Sequence, residues 1–400
     1  MIDAQKTIVV TGIGVASPYG AGLARLRAGL LAGECRLKPA AELYPGFQGM
    51  VAQVRDLPPV GDGHRYSRTD RLAMAAARDA VVEYSIPSSL LRPSGIVMAS
   101  TVAGLTEIDP GIAQGPAAWY RDGGLERAGS YPVSRVAASV GEHLGVQGPA
   151  CAVSVACASG AMAIALGANL LLDGAAPMIL AGGSDALCPF TLSGFNSLQA
   201  LDPELCRPFD QERKGLNLGE GAAVLVLETL RHANERGARV LAVLRGWAMT
   251  NDASHPTAPR KDGLGLACCI GRAMEMAECG VDEIGYVNAH GTGTPLNDIA
   301  ETHAYERAFE GRRGPIPVSS TKSYFGHCLG AAGALEAAIT IVAMEAGALF
   351  PTLRLTTPIE SERVELLHGA VRREALPMAM SVSAGFGGSN AALVFGRLQS

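Results

Sequence analysis

Apolar residues fall into short unbroken runs, separated by longer stretches in which they recur with helical spacing. The short runs, rich in valine and isoleucine, read as strands buried on both faces, and the longer alanine-rich stretches as helices packed on them. IVVTGIGV opens the series; a helix-like stretch over 69–84 follows, then SGIVMAS, VSVACASG with its helix, PMILAGGSDA and AAVLVLETL. A similar order returns in the second half: RVLAVLRGWAM, a helix over about 263–279, IGYVNAHGTGTP, VSSTKSYFGH with its Ala-rich helix, and AMSVSAGFGG. The pattern predicts an α/β chain of two related halves. Its helices GAMAIALGANLL and GAAGALEAAITIVAM are apolar nearly all round, which places them between sheets.

Segments 36–68 and 104–131, rich in Pro, Gly and polar residues, break this rhythm and read as excursions forming a pocket lid or a subunit interface. The 400 residues are 48% hydrophobic, ample for a large core. No run approaches the ~20 apolar residues of a membrane span, and MIDAQKTIVV lacks the parts of a signal peptide, so the expected location is cytoplasmic. A formal charge of -5 with mixed signs argues against nucleic acid as a partner; an acidic partner has to meet a local basic patch. Nine cysteines without a CxxC pair indicate neither a disulfide framework nor a zinc ribbon.

The opening IVVTGIGVASPYG resembles a dinucleotide fingerprint but lacks the third glycine and a following ribose-binding acid, which excludes a nicotinamide cofactor. Cys157, at a strand-to-helix corner, is a candidate nucleophile, because N–H groups at a helix start favour thiolate. His290 and His327 lie in Gly/Thr/Ser-rich corners after strands, with Lys322 five residues ahead of His327. His64, His143, His232, His303 and His368 sit among charges or on helix-like faces and read as background. Metal binding is the rival use of a Cys and two His, but no short ligand spacing supports it. GFGGSN near the end can turn backbone N–H groups toward an anion, or can equally be a flexible hairpin turn.

Taken in order, VACASG, RPFDQERKGLNLGEGAAVLVLE, NAHGTGTPLND, STKSYFGHCLGAAGALEA and GFGGSNAALVF resemble the elongating β-ketoacyl-[acyl-carrier-protein] synthases of the FabF and FabB type. The resemblance runs from Ile8 to Phe395 and implies a thiolase-like fold: two duplicated α/β halves, 1–240 and 241–400, in a five-layered α-β-α-β-α arrangement. It implies catalysis by Cys157, His290 and His327, with Lys322 and Glu336 setting the charge and orientation of the histidines. It assigns the pantetheine arm to Thr292 and Thr294, gating to Phe386, and an oxyanion hole to the backbone N–H groups of Cys157 and Phe386. Arg65, Arg68, Arg71 and Arg207 take the places of carrier-docking residues, with Leu72 where a second basic residue often follows.

The activity so implied is acyl transfer to Cys157, decarboxylation of malonyl-carrier protein and Claisen condensation in fatty-acid synthesis. The alternative is a ketosynthase of a type II polyketide or polyene pathway. No metal or redox cofactor is implied; the expected partners are acyl carrier protein and a second copy of the chain or a related subunit. His327 argues against the initiating synthases, GFGGSN without a second cysteine against a thiolase, and Cys157 against a noncatalytic chain-length factor. Ala158, the pair Tyr324 and Phe325, and Ala384 depart from the common family residues; all are expected near the pocket, where they bear on chain length and shape.

Overall fold

The computed structural model describes residues 3–60, 65–107, 115–121 and 129–398. Its first half carries β1 (Ile8–Ser17), α1 (Arg68–Glu83), β2 (Gly95–Ala99), α2 (Ser134–Leu144), β3 (Ala150–Val153), α3 (Ser159–Leu172), β4 (Met178–Asp185), α4 (Pro189–Ser197) and β5 (Gly221–Thr229). Its second half carries β6 (Ala242–Asn251), α5 (Leu264–Met276), β7 (Val287–Asn288), α6 (Pro295–Ala308), β8 (Ile316–Ser319), α7 (Ala332–Ala346), β9 (Val364–Leu366), β10 (Met378–Gly385) and β11 (Ser389–Gly396).

These strands join in the order β9-β8-β7-β10-β11-β6-β1-β5-β4-β2-β3. The halves meet where β1 runs antiparallel to β6, with Ile8 opposite Leu244. Moving outward from that seam, each half repeats one sequence of pairings. β1–β5 and β5–β4 are antiparallel and β4–β2 and β2–β3 parallel; β6–β11 and β11–β10 are antiparallel and β10–β7 and β7–β8 parallel. Every residue of β1, β4 and β11 is buried, including the polar Ser184, Asp185, Ser389 and Asn390.

Helices α1 and α2 cover the outer face of the first half, and α5 and α6 that of the second. Between the halves lie α3 and α7, whose alanines and leucines form the central core. This is the five-layered, thiolase-like arrangement. The segment Leu329–Ala346, which contains α7, is long and apolar enough to cross a membrane by length and composition, yet 89% of it is buried among the sheets. A capping box of Ser67 and Asp70 starts α1 at Arg68, one residue before the pattern alone places it.

Small residues let α3 and α7 approach backbone to backbone. A Cβ added at Gly160 would stand 2.7 Å from the Ala334 nitrogen, and one at Gly333 would stand 2.7 Å from that of Ala161. Parts of the two excursions, residues 61–64 with His64, 108–114 and 122–128, lie outside the described residues. Within the first excursion, Lys38–Pro39 and Met50–Ala52 form a small sheet with Leu218–Gly219.

Candidate active site

Cys157 sits in the turn between β3 and α3, its sulfur buried. Ala156, just before it, takes a left-handed conformation with φ of 45°, and Ser159 Oγ clamps the turn by accepting from Val155 N at 2.7 Å and donating to Ala156 O at 2.5 Å. The thiol is not a resting thiolate, contrary to the expectation from a helix start. Burial pushes it up to about 12, outweighing the opposing pull of the Lys322 ammonium and the Phe386 N–H.

The corner after β7 brings His290 to this sulfur, and the segment after β8 brings His327. One ring nitrogen of each histidine and the Cys157 sulfur all lie within 4.8 Å of one another, and the two rings meet edge to face with centroids 5.3 Å apart. Lys322 Nζ lies 3.2 Å from His290 Nδ1, donates to His290 O at 2.5 Å, and pairs with the buried Glu336 carboxylate. An ammonium only donates, so Nδ1 accepts and the ring proton sits on Nε2. His327 Nδ1 and Nε2 are buried with no partner among the described residues. Burial, and Lys322 after it, hold both imidazoles well below their usual value, so they are neutral at pH 7. Burial raises Glu336 to about 7, against the pull of Lys322.

The glycine corner after β10 completes the site. A Cβ at Gly385 would stand 3.1 Å from the backbone nitrogens of both Cys157 and Ala158, so the bare backbone is what lets this corner reach the nucleophile. Phe386 follows, its ring stacked on Phe195 at 5.7 Å. A cavity of about 360 Å³ is lined by Leu198, Leu296, Thr292, Thr294 and Phe386 together with Cys157 and both histidines. Thr292 and Thr294 hydroxyls lie 2.9 Å apart along it. Ala384 lines this cavity, but Tyr324 and Phe325 do not: both turn into the central core, where Phe325 meets Tyr19 edge-on at 6.1 Å.

Of the four arginines expected on a docking face, Arg65 is the most exposed and bonds Glu142 at 2.9 Å. Arg71 is half-buried, and Arg207 lies 4.0 Å from Glu204. Arg68 commits its guanidinium to Glu220 and to Val54 O, because Glu220 is wholly buried and needs a cation.

Several supporting groups escaped the sequence reading. Glu301, nearly two turns into α6, accepts from the backbone nitrogens of His290 and Gly291, both at 2.7 Å, and burial raises it to about 7. Asp298 does the same for Phe209 N and Gly293 N. His327 itself is pinned as in a strand, its N–H donating to Asn217 O at 2.7 Å and its carbonyl accepting from Gly219 N at 2.9 Å. Asp252 receives Asn390 Nδ2 at 2.8 Å and its N–H donates to Gly388 O, tying the loop after β6 to the Phe386 corner. Asp298 and Asn217 stand inside the quoted motifs as polar positions, whereas Glu301 and Asp252 lie outside all of them and carry no local signal.

Residues 5–233 match the family model described as the β-ketoacyl synthase N-terminal domain, and residues 241–356 its C-terminal domain. The chain belongs to the β-ketoacyl synthase family. As a member it is a ketosynthase, a condensing enzyme of the acyltransferase kind. The ketosynthase is 34% identical to the tetracenomycin polyketide synthase ketoacyl synthase alpha subunit of Streptomyces glaucescens, over 98% of each chain. It is also 34% identical to 3-oxoacyl-[acyl-carrier-protein] synthase 2 of Vibrio cholerae, over 98% of its own length and 100% of that protein's. Among solved structures, the ishigamide ketosynthase/chain length factor aligns with a TM-score of 0.91 at 31% identity, covering 98% of this chain and 99% of that one. A type II polyketide synthase acyl-carrier protein in complex with its ketosynthase bound to the hexaketide gives a TM-score of 0.88 at 28% identity, over 98% and 99% of the two chains.

Proposed function

We propose that the ketosynthase extends carrier-bound acyl chains by two carbons, as a 3-oxoacyl-[acyl-carrier-protein] synthase of fatty-acid synthesis. The observation that carries this reading is the meeting of the Cys157 sulfur with two neutral, buried histidines in the wall of one cavity. Cys157 attacks the acyl thioester; its proton leaves with the carrier thiol as the old C–S bond breaks. The oxyanion formed on the way is met by the N–H groups of Cys157 and Phe386. Malonyl-carrier protein then enters along Thr292 and Thr294 and loses CO2, and the electron pair moves onto the thioester oxygen. His290 Nε2–H and the His327 ring donate to that oxygen, Lys322 fixing the first tautomer and Glu336 balancing the Lys322 charge. The enolate carbon attacks acyl-Cys157, the C–S bond breaks, and the thiol is restored by a proton. No step calls on a metal or redox cofactor.

Acyl carrier protein is the proposed partner, docking on Arg65, Arg71 and Arg207. A second subunit is the other. Among the described residues β3 is the outermost strand, Ala150 and Ala152 are exposed on it, and a sheet edge of this kind is a template for a neighbouring chain, in this case a second copy or a related ketosynthase-like subunit.

A second reading, a ketosynthase of a type II polyketide or polyene pathway working with a partner subunit, is favoured by the likeness to structures solved with a chain length factor or with a type II carrier protein. The alanine at 384 in the cavity wall suits a pocket of altered shape.

The test follows CO2 release and β-ketoacyl product from malonyl- and acyl-carrier protein, with a chelator present. Cys157→Ala should abolish product, Cys157→Gln should still release CO2, and His290→Ala and His327→Ala should each stop release. Full condensation by Cys157→Ala would remove the cysteine from its role as nucleophile, and normal CO2 release from either histidine variant would remove that histidine from decarboxylation.

A further inference from the structure

A carboxylate that takes no part in these steps lies between the two halves. Asp185, the last residue of β4, is wholly buried. Ser100 Oγ donates to it at 2.5 Å, Thr101 N at 3.0 Å, Thr101 Oγ1 at 2.7 Å, Val102 N at 2.8 Å and Gly330 N at 2.6 Å. None of these donors is a cation, and no Lys or Arg lies within ion-pair distance of Asp185 among the described residues. A buried carboxylate held only by hydroxyl and backbone donors is costly to leave unpaired and rigid when satisfied.

The Gly330 bond gives this cluster its direction. Gly330 belongs to the second half, three residues after His327, on a turn where Leu329 takes a left-handed φ of 51°. A Cβ at Gly330 would stand 2.7 Å from Asp185 Oδ2 and 3.0 Å from Thr101 N, so the turn reaches the carboxylate only because residue 330 has no side chain. The backbone at 217–219 fixes His327 from one side, and Asp185 fixes the turn that follows it from the other. His327 has no side-chain bond of its own among the described residues, so its ring direction depends on these backbone anchors.

We infer that Asp185 is a positioning residue for decarboxylation: by holding Gly330 to the first half, it aims the His327 ring at the thioester oxygen of the malonyl group. This rests on the reading that gives His327 that role. Asp185 also bears on the nucleophile in the opposite sense. Its negative charge adds to the burial that keeps Cys157 protonated, so removing the charge does not slow reactions of the thiol.

The experiment separates the two effects. CO2 release from malonyl-carrier protein is measured in the Cys157→Gln background, alone and combined with Asp185→Asn or Gly330→Ala, which reach the same contact from its two sides. Iodoacetamide alkylation of Cys157 is measured in the same two variants with the cysteine in place. The expected result is a ten- to hundredfold fall in the rate constant of decarboxylation with unchanged KM, while alkylation keeps at least the rate of the unaltered protein. Ile270→Ala, which opens a cavity in the outer core under α5 away from Asp185 and Gly330, serves as the control and should show no such split. Decarboxylation within twofold of the Cys157→Gln parent in both variants would overturn the inference. So would a parallel fall of decarboxylation and alkylation like that of a merely destabilised protein. Normal CO2 release from Cys157→Gln/His327→Ala would instead remove the reading on which the inference rests, and the two failures are distinguishable.

Discussion

Gly385 is a residue whose function is its missing side chain. Its φ of -130° is open to any residue, so no backbone strain requires glycine there; the close approach to the nitrogens of Cys157 and Ala158 does. Gly385→Ala should push the Phe386 corner away from the nucleophile and weaken the oxyanion donors. Loss of one such donor lowers the rate about 10²–10³-fold, so acylation of Cys157 should slow by about that factor while the protein stays folded. Stopped-flow acylation with circular dichroism as the folding check reads this, and an unchanged acylation rate would refute the assigned geometry. The same scale shows what could be read in advance. Cys157, His290 and His327 stand in quotable motifs, whereas Glu301, Asp298 and Asp185 are ordinary acids until burial and backbone donors give them a task. Arg68 shows the reverse: a basic residue that sequence places on a surface is claimed by the buried Glu220.

Among elements, the contact between α3 and α7 links the two halves of the site, since α3 follows Cys157 and α7 follows His327. Gly160 and Gly333 set their spacing. Gly160→Val should force the helices apart, costing about 1–3 kcal/mol as overpacking does and lowering condensation through the altered distance between Cys157 and His327. Chemical denaturation and turnover check the two parts. A variant of full stability and full activity would show that the close approach is not needed. Period and composition announced these helices well, because helices buried on all sides carry apolar residues all round. They were silent on the β1–β6 seam, since which strands become neighbours is set by long-range packing. The family resemblance, for its part, placed Tyr324 and Phe325 at the pocket, whereas the turn at Gly326 points them into the core.

For the whole molecule, buried ionisable groups leave opposing marks on stability. His290 and His327 stay neutral when folded, whereas unfolded histidines bind protons below about 6.5; the unfolded state then holds more protons and stability is lost as pH falls. Glu301 and Glu336, raised to about 7 by burial, bind protons in the folded state that the unfolded state releases above about 4.5, so their contribution is lost as pH rises through that window. The two pairs oppose each other between about pH 5 and 6.5. Relative to the unaltered protein, Glu301→Gln should lose stability on acidification and His327→Gln on alkalisation, each by about 1 kcal/mol per pH unit. Urea midpoints at pH 5, 6 and 7 supply the comparison, and identical pH slopes in all three proteins would show that these groups are not held as described.

Everything proposed for the site turns on whether the growing acyl chain is carried on Cys157. Intact mass of the purified protein after incubation with a panel of acyl-carrier proteins, followed by peptide mapping, decides it. A single acyl adduct is expected on the Cys157 peptide, disappearing when malonyl-carrier protein is added and β-ketoacyl product forms. Saturated chains alone would fit fatty-acid elongation, and unsaturated or aryl chains, or loading that requires a partner subunit, the specialised pathway. An adduct on another residue, or product formation with Cys157 never acylated, would contradict the mechanism.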